Sequence, residues 1–145
     1  MRCMLDKDFL TRKTKLIQEE LAHLEEFKDY SFDEVAKDFR KLAIIERLLE
    51  KIITRAIDIN QHIISEKGKG TEKIRGYEDA FIVLSEIGVY PEDFAKRIAP
   101  SAGLRNRLVH EYDNLDNKIV YKSVDEALEQ YAKYCSYILD FVEKN

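Results

Sequence analysis

Residues 33–66 read DEVAKDFRKLAIIERLLEKIITRAIDINQHIISE, and the fold turns on this stretch. Val35, Phe39, Leu42, Leu49, Ile53, Ala56 and Ile63 recur at helical spacing and make one stripe. Ile44, Ile45, Leu48, Ile52, Ile57, Ile59 and Ile64 carry apolar character well beyond that face. A helix that is apolar on more than one side is buried on more than one side. The stretch therefore predicts either the central helix of a bundle or part of a dimer interface.

Towards the N-terminus, Leu10, Ile17, Leu21, Leu24 and Phe27 mark an amphipathic helix over about residues 6–29. Ser31 and Glu34 form a Ser-x-x-Glu capping box that opens the long helix. Towards the C-terminus, Gly68-Lys69-Gly70 predicts a loop, and a third helix fits residues 72–87 and stops at Gly88. Pro91 can start a short helix, which Pro100-Ser101 interrupts. A further helix carries Leu104 and Leu108 to about Tyr112, and Asp113–Asn117 is turn-rich. Ser123 and Glu126 suggest a second capping box, opening a last helix to about Glu143. Its stripe is Val124, Leu128, Tyr131, Cys135, Ile138 and Val142. No repeat or linker divides the chain. The expectation is one domain over residues 1–145, an all-α up-and-down bundle of four to five helices.

The bulk numbers agree. Of 145 residues 45% are hydrophobic and 36% charged, a globular balance, and Gly and Pro number only 5 and 2, which favours long helices. Cys3 and Cys135, far apart, make neither a disulfide framework nor a zinc site. No apolar run is long enough to span a membrane and no signal-peptide pattern opens the chain, so a cytoplasmic location is expected.

The net charge of −4 argues against a chain that is basic throughout. Its distribution is more informative. Residues 94–110 hold Lys96, Arg97, Arg105 and Arg107 and no acid, a local +4 that leaves −8 for the rest. A basic patch on an acidic body suits binding of RNA phosphates. Within it lie Arg105, Asn106 and His110, followed by Tyr112. On a helix Asn106 and His110 stand about 40° apart, close enough for the amide to fix the imidazole tautomer, whereas Arg105 and His110 diverge by about 140°. Metal-independent RNA cleavage needs a group titrating near neutral pH to move a proton, and a fixed cation where charge develops on phosphorus. His110 and Arg105 are those residue types. By chance, Arg-x-x-x-x-His arises in roughly one such chain in five, and the added Tyr lowers that to roughly one in a hundred. On the long helix, Asp58 and His62 stand four apart and suit either a structural hydrogen-bonded pair or support of the active cleft. Tyr131, Tyr134 and Tyr137 suit packing better than base stacking.

The string Arg105-Asn106-Arg107-Leu108-Val109-His110-Glu111-Tyr112 resembles the signature of the HEPN superfamily, in its HepT-like branch. Residues 55–64 resemble the long second helix of that family, and Gly76-Tyr77-Glu78-Asp79-Ala80-Phe81 its third. The resemblance implies a homodimer with a composite cleft holding two Arg/His pairs, and a toxin ribonuclease that uses no metal or other cofactor. It implies a minimal nucleotidyltransferase antitoxin as partner, which transfers AMP onto the motif tyrosine, here Tyr112. An added AMP would place bulk and negative phosphate beside Arg105 and His110. Lys96, Arg97 and Arg107 are then expected to bind RNA substrate, with Asn106 supporting the catalytic pair. Two other readings stay open: a non-catalytic, nucleotide-binding partner subunit of a nucleotidyltransferase complex, and a purely structural dimeric bundle.

Overall fold

The computed structural model describes residues 5–68, 74–111 and 114–145. Among these, seven helices follow one another: α1 (Lys7–Glu25), α2 (Phe32–Ala36), α3 (Phe39–Lys67), α4 (Tyr77–Ile87), α5 (Glu92–Ile98), α6 (Ser101–His110) and α7 (Asn117–Lys144). The architecture is the all-α bundle that the periodicity predicts. At its centre is α3, against which α1, α2, α4, α6 and α7 all pack. Its core face is Ile45, Leu49, Ile52, Ile53, Ala56, Ile59 and Ile63, every one within 1% of full burial. Each of these Leu and Ile side chains contributes roughly 1.5–3 kcal/mol by leaving water.

Two boundaries differ from expectation because a competing cap acts, and two more shift by a few residues. The stretch 33–66 is two helices, because the chain breaks after Ala36. Asp38 is extended (φ −116°, ψ 98°) and caps α3: its carboxylate accepts from the backbone N–H of Arg40 at 3.0 Å and from Lys41 Nζ at 3.0 Å. A short carboxylate that can satisfy free helix donors competes with helix continuation at its own position. Phe39, placed on the core stripe by spacing, consequently stands 76% exposed. The last helix starts at Asn117, capped by Asp116, whose carboxylate accepts from Lys118 N–H at 2.9 Å. Ser123 therefore lies inside α7 and donates to the Ile119 carbonyl at 2.7 Å, so the Ser123–Glu126 box is not formed.

The other signals hold. Ser31 and Glu34 make the reciprocal capping box. Gly88 ends α4 in the left-handed region (φ 100°), its N–H bonding to the Leu84 and Ser85 carbonyls. Pro91 caps α5. The first helix ends at Glu25, short of 29, and α4 starts at Tyr77, with residues 69–73 outside the described part.

Two polar devices lock α3 in register. Glu20 of α1, only 8% exposed, accepts from Arg55 Nε at 2.6 Å and Nη2 at 3.3 Å, with Lys51 Nζ 3.4 Å away. On the opposite side the fully buried Tyr134 of α7 donates to Asn60 Oδ1 at 2.5 Å. Tyr131 and Tyr134 are core: Tyr134 is in ring contact with Tyr90, Phe81 and Tyr131, as the packing reading of the last helix expects.

Candidate active site

The ten residues of α6 bury Ala102, Leu104 and Leu108 and turn the rest outward. A helix this short is marginal alone, so its order comes from packing on α3 and α4. The successive 100° steps of the helix then send its polar side chains in different directions.

Arg105 leans towards α3 and α4. Its Nε donates to Thr54 Oγ1 at 3.2 Å, its Nη1 reaches Asn106 Oδ1 at 3.5 Å, and its guanidinium carbon lies 5.7 Å from the centroid of the Tyr77 ring. These contacts leave the cation half-buried with its fork held in one place. Asn106 thus serves Arg105; among the described residues no hydrogen bond joins it to His110. His110 is the last residue of α6, exposed, and points about 140° away from Arg105 around the helix. The two are not brought together within one chain. Tyr112 lies outside the described residues.

Asp58 sits one turn along α3 from Thr54, and its carboxylate pairs with Lys13 Nζ of α1 at 3.0 Å. It makes no hydrogen bond to His62. His62 Nε2 instead accepts from the Asp6 backbone N–H at 3.0 Å, and its ring packs on Phe9. Each residue therefore ties α3 to the start of α1.

The expected substrate cations divide. Lys96 is exposed and pairs along its own helix with Glu92 at 3.1 Å. Arg97, over the Phe94 ring at 5.8 Å and 3.9 Å from Glu129, shares a cleft with Arg107. That cleft, about 270 Å³, opens between α3, α6 and α7. Tyr131 lines it, its hydroxyl 2.7 Å from Ser101 Oγ. Burial pushes the Tyr131 phenol well above its ordinary range, so it stays protonated and is no general base. Among the described residues no group of three or more His, Cys, Asp and Glu side chains is placed to hold a metal.

Spacing alone missed Thr54 and Tyr77. Thr54 is one of many polar residues on an amphipathic helix, and Tyr77 opens α4; their spacing gives no signal until α6 is placed beside them.

Comparison with known proteins bears on this arrangement. The profile of the family described as Ribonuclease HepT-like matches residues 17–138. The chain is 42% identical over 137 residues to the tRNA nuclease HepT of Aphanizomenon flos-aquae, covering 92% of each protein. This chain belongs to the HepT-like ribonuclease family. Solved structures share the fold of this HepT-like chain. A toxin–antitoxin crystal structure with AMP-PNP superposes with a TM-score of 0.81 at 22% identity, over 92% of this chain and 98% of that one. A tri-AMPylated HEPN toxin of Shewanella oneidensis in complex with an MNT antitoxin superposes with a TM-score of 0.79 at 22% identity, over 94% and 99%.

Proposed function

We propose that this HepT-like chain is the toxin of a toxin–antitoxin pair: an endoribonuclease that cuts tRNA without a metal. Arg105 stabilises charge on the scissile phosphate, His110 moves the proton at the attacking or leaving oxygen, and Asn106 holds the Arg105 fork. One observation carries the reading: the family's Arg-to-His segment lies on an outward helix, its arginine already seated by Thr54 and Tyr77. A preorganised guanidinium is what a developing phosphorane charge requires.

The divergence of Arg105 and His110 supports a homodimer. One chain does not close both groups on one phosphate, whereas two α6 helices facing each other can pair them across a composite cleft. The partner is a minimal nucleotidyltransferase antitoxin that silences the enzyme by adding AMP to Tyr112, filling the phosphate site with phosphate of its own. Lys96, Arg97 and Arg107 hold the RNA backbone, and Asp58 supports the cleft from α3. The site acts in the cytoplasm.

Purified protein should cleave tRNA in EDTA, and Arg105→Ala and His110→Ala should each abolish cleavage. Wild-type cleavage by His110→Ala would sink the assignment. Incubation with the antitoxin and ATP should add AMP units to the peptide carrying Tyr112, and none in Tyr112→Phe.

A further inference from the structure

The cleft between α6 and α7 has a composition that phosphate binding alone does not explain. Leu49 and Ile53 of α3 and Ile119 of α7 form an apolar floor. Arg97, Arg107 and Lys122 stand around it, and Gln130 and Glu126 supply an amide and a carboxylate. Three cations face one acid in a chain whose net charge is −4. Lys122 and Glu126 are only loosely paired, at 3.9 Å on an exposed face, so both are free to turn towards a ligand. The cleft is also adjacent to the proposed chemistry. Arg107 lines it, and His110 lies one turn further along α6, so the two side chains are surface neighbours.

We propose that this cleft is a nucleotide subsite, taking one base of the RNA next to the scissile phosphate. The apolar side of the cleft, where Ile119 is partly exposed over the buried Leu49 and Ile53, receives the base. Gln130 and Glu126 meet its polar edge, and Arg107 and Lys122 hold the phosphate that joins it to the residue being cut. The volume of about 270 Å³ is near the lower bound of small-molecule sites, roughly 300 Å³, which suits a single base and excludes an oligonucleotide. The assignment rests on the ribonuclease reading for its substrate, while its recognition chemistry, apolar floor with cationic rim, stands on the cleft itself.

Two measurements on the full-length protein test it. In the first, the four nucleoside monophosphates and inorganic phosphate are titrated into the protein and followed by amide NMR. At least one monophosphate should bind about ten-fold more tightly than inorganic phosphate, with the shifts centred on α6 and α7. Gln130→Trp, which places an indole over the floor, should remove that binding. Lys122→Glu should weaken it about ten-fold and Lys122→Arg should retain it. In the second, a short RNA carrying 2′-O-methyl groups, which cannot be cut through its 2′-oxygen, is bound in a fluorescence-anisotropy titration. Gln130→Trp should weaken this complex about ten-fold while circular dichroism shows an intact helical fold.

Equal affinity for monophosphates and inorganic phosphate would overturn the proposal, as would unchanged nucleotide binding by Gln130→Trp. Loss of mononucleotide binding with unchanged RNA binding would make the cleft a site for a free nucleotide and would also overturn it. The two readings fail separately. Binding through the cleft without cleavage of any RNA removes the ribonuclease assignment and leaves the subsite; cleavage without base-dependent binding does the reverse.

Discussion

Thr54→Val is the sharpest test of how Arg105, the proposed catalytic arginine, is set. The substitution keeps the shape of a β-branched side chain and removes the oxygen that accepts from Arg105 Nε at 3.2 Å. A hydrogen bond to a charged group is worth about 1.5–3 kcal/mol, and the half-exposed position of Arg105 discounts this to about 1 kcal/mol. That corresponds to about a five-fold loss of kcat/KM for RNA. Tyr77→Leu removes the ring 5.7 Å from the same guanidinium, an exposed cation–π contact of about 0.5–1 kcal/mol, hence a two- to five-fold loss. Both contacts position one group, so the double variant should lose less than the product of the single effects. Thermal melting should stay within about 2 °C of wild type for Thr54→Val, because Thr and Val have similar helix propensities. Thr54→Ser, which restores the oxygen, should recover activity. Wild-type kcat/KM in Thr54→Val, or equal losses in the Ser and Val variants, would refute the idea that Thr54 positions Arg105.

Three further outcomes follow from the fold. Glu20→Gln should lower stability by about 2–3 kcal/mol in urea unfolding, because Arg55 and Lys51 lose their shared carboxylate; their partial access to water keeps the loss below the range for a wholly buried pair. Gly88→Ala should cost about 1 kcal/mol and lower the melting temperature by about 4 °C, purely from the left-handed backbone, since an added Cβ meets nothing within 4 Å. Burial pushes the Cys135 thiol from 9.0 up to about 12. The unfolded chain therefore ionises first: the contribution of Cys135 is intact below pH 9 and is lost as pH rises towards about 12, by at most about 1.4 kcal/mol per pH unit. Urea titrations between pH 9 and 11 should show a shallower decline for Cys135→Ala than for wild type.

The sequence was most informative where one local mechanism acts alone. Ser31–Glu34, Gly88 and Pro91 each signal an element end through chemistry within a single turn; Gly88 and Pro91 act as expected, and the Ser31–Glu34 box forms but opens the short α2 rather than the long helix. It misled where two local signals compete. Asp38 sits inside a run whose apolar spacing continues on both sides, and its capping bonds to Arg40 and Lys41 outweigh that continuity. Ser123–Glu126 has capping spacing, yet Asp116 starts the helix earlier and Ser123 bonds back to Ile119. At the site, residue types were legible and directions were not. Helical spacing put Asn106 beside His110, but it could not weigh this against the pull of a neighbouring guanidinium fixed by Thr54 on another helix.

The dependence of the site on α3 explains why one stretch governs both fold and chemistry. Ile53, Thr54 and Arg55 are consecutive, so their side chains leave the helix about 100° apart. Ile53 forms the floor of the cleft that Arg107 borders, Thr54 seats Arg105, and Arg55 grips Glu20 on α1. Two neighbouring elements, α6 and α1, are thereby keyed to three adjacent positions. A slip of α3 by one residue would break the Glu20 ion pair, remove the cleft floor and unseat Arg105 together. The half-buried Glu20–Arg55–Lys51 cluster on one side and the Tyr134–Asn60 bond on the other both oppose that slip. Polar bonds at two sides of an amphipathic helix therefore set its register, and the register aims Arg105, the proposed catalytic arginine.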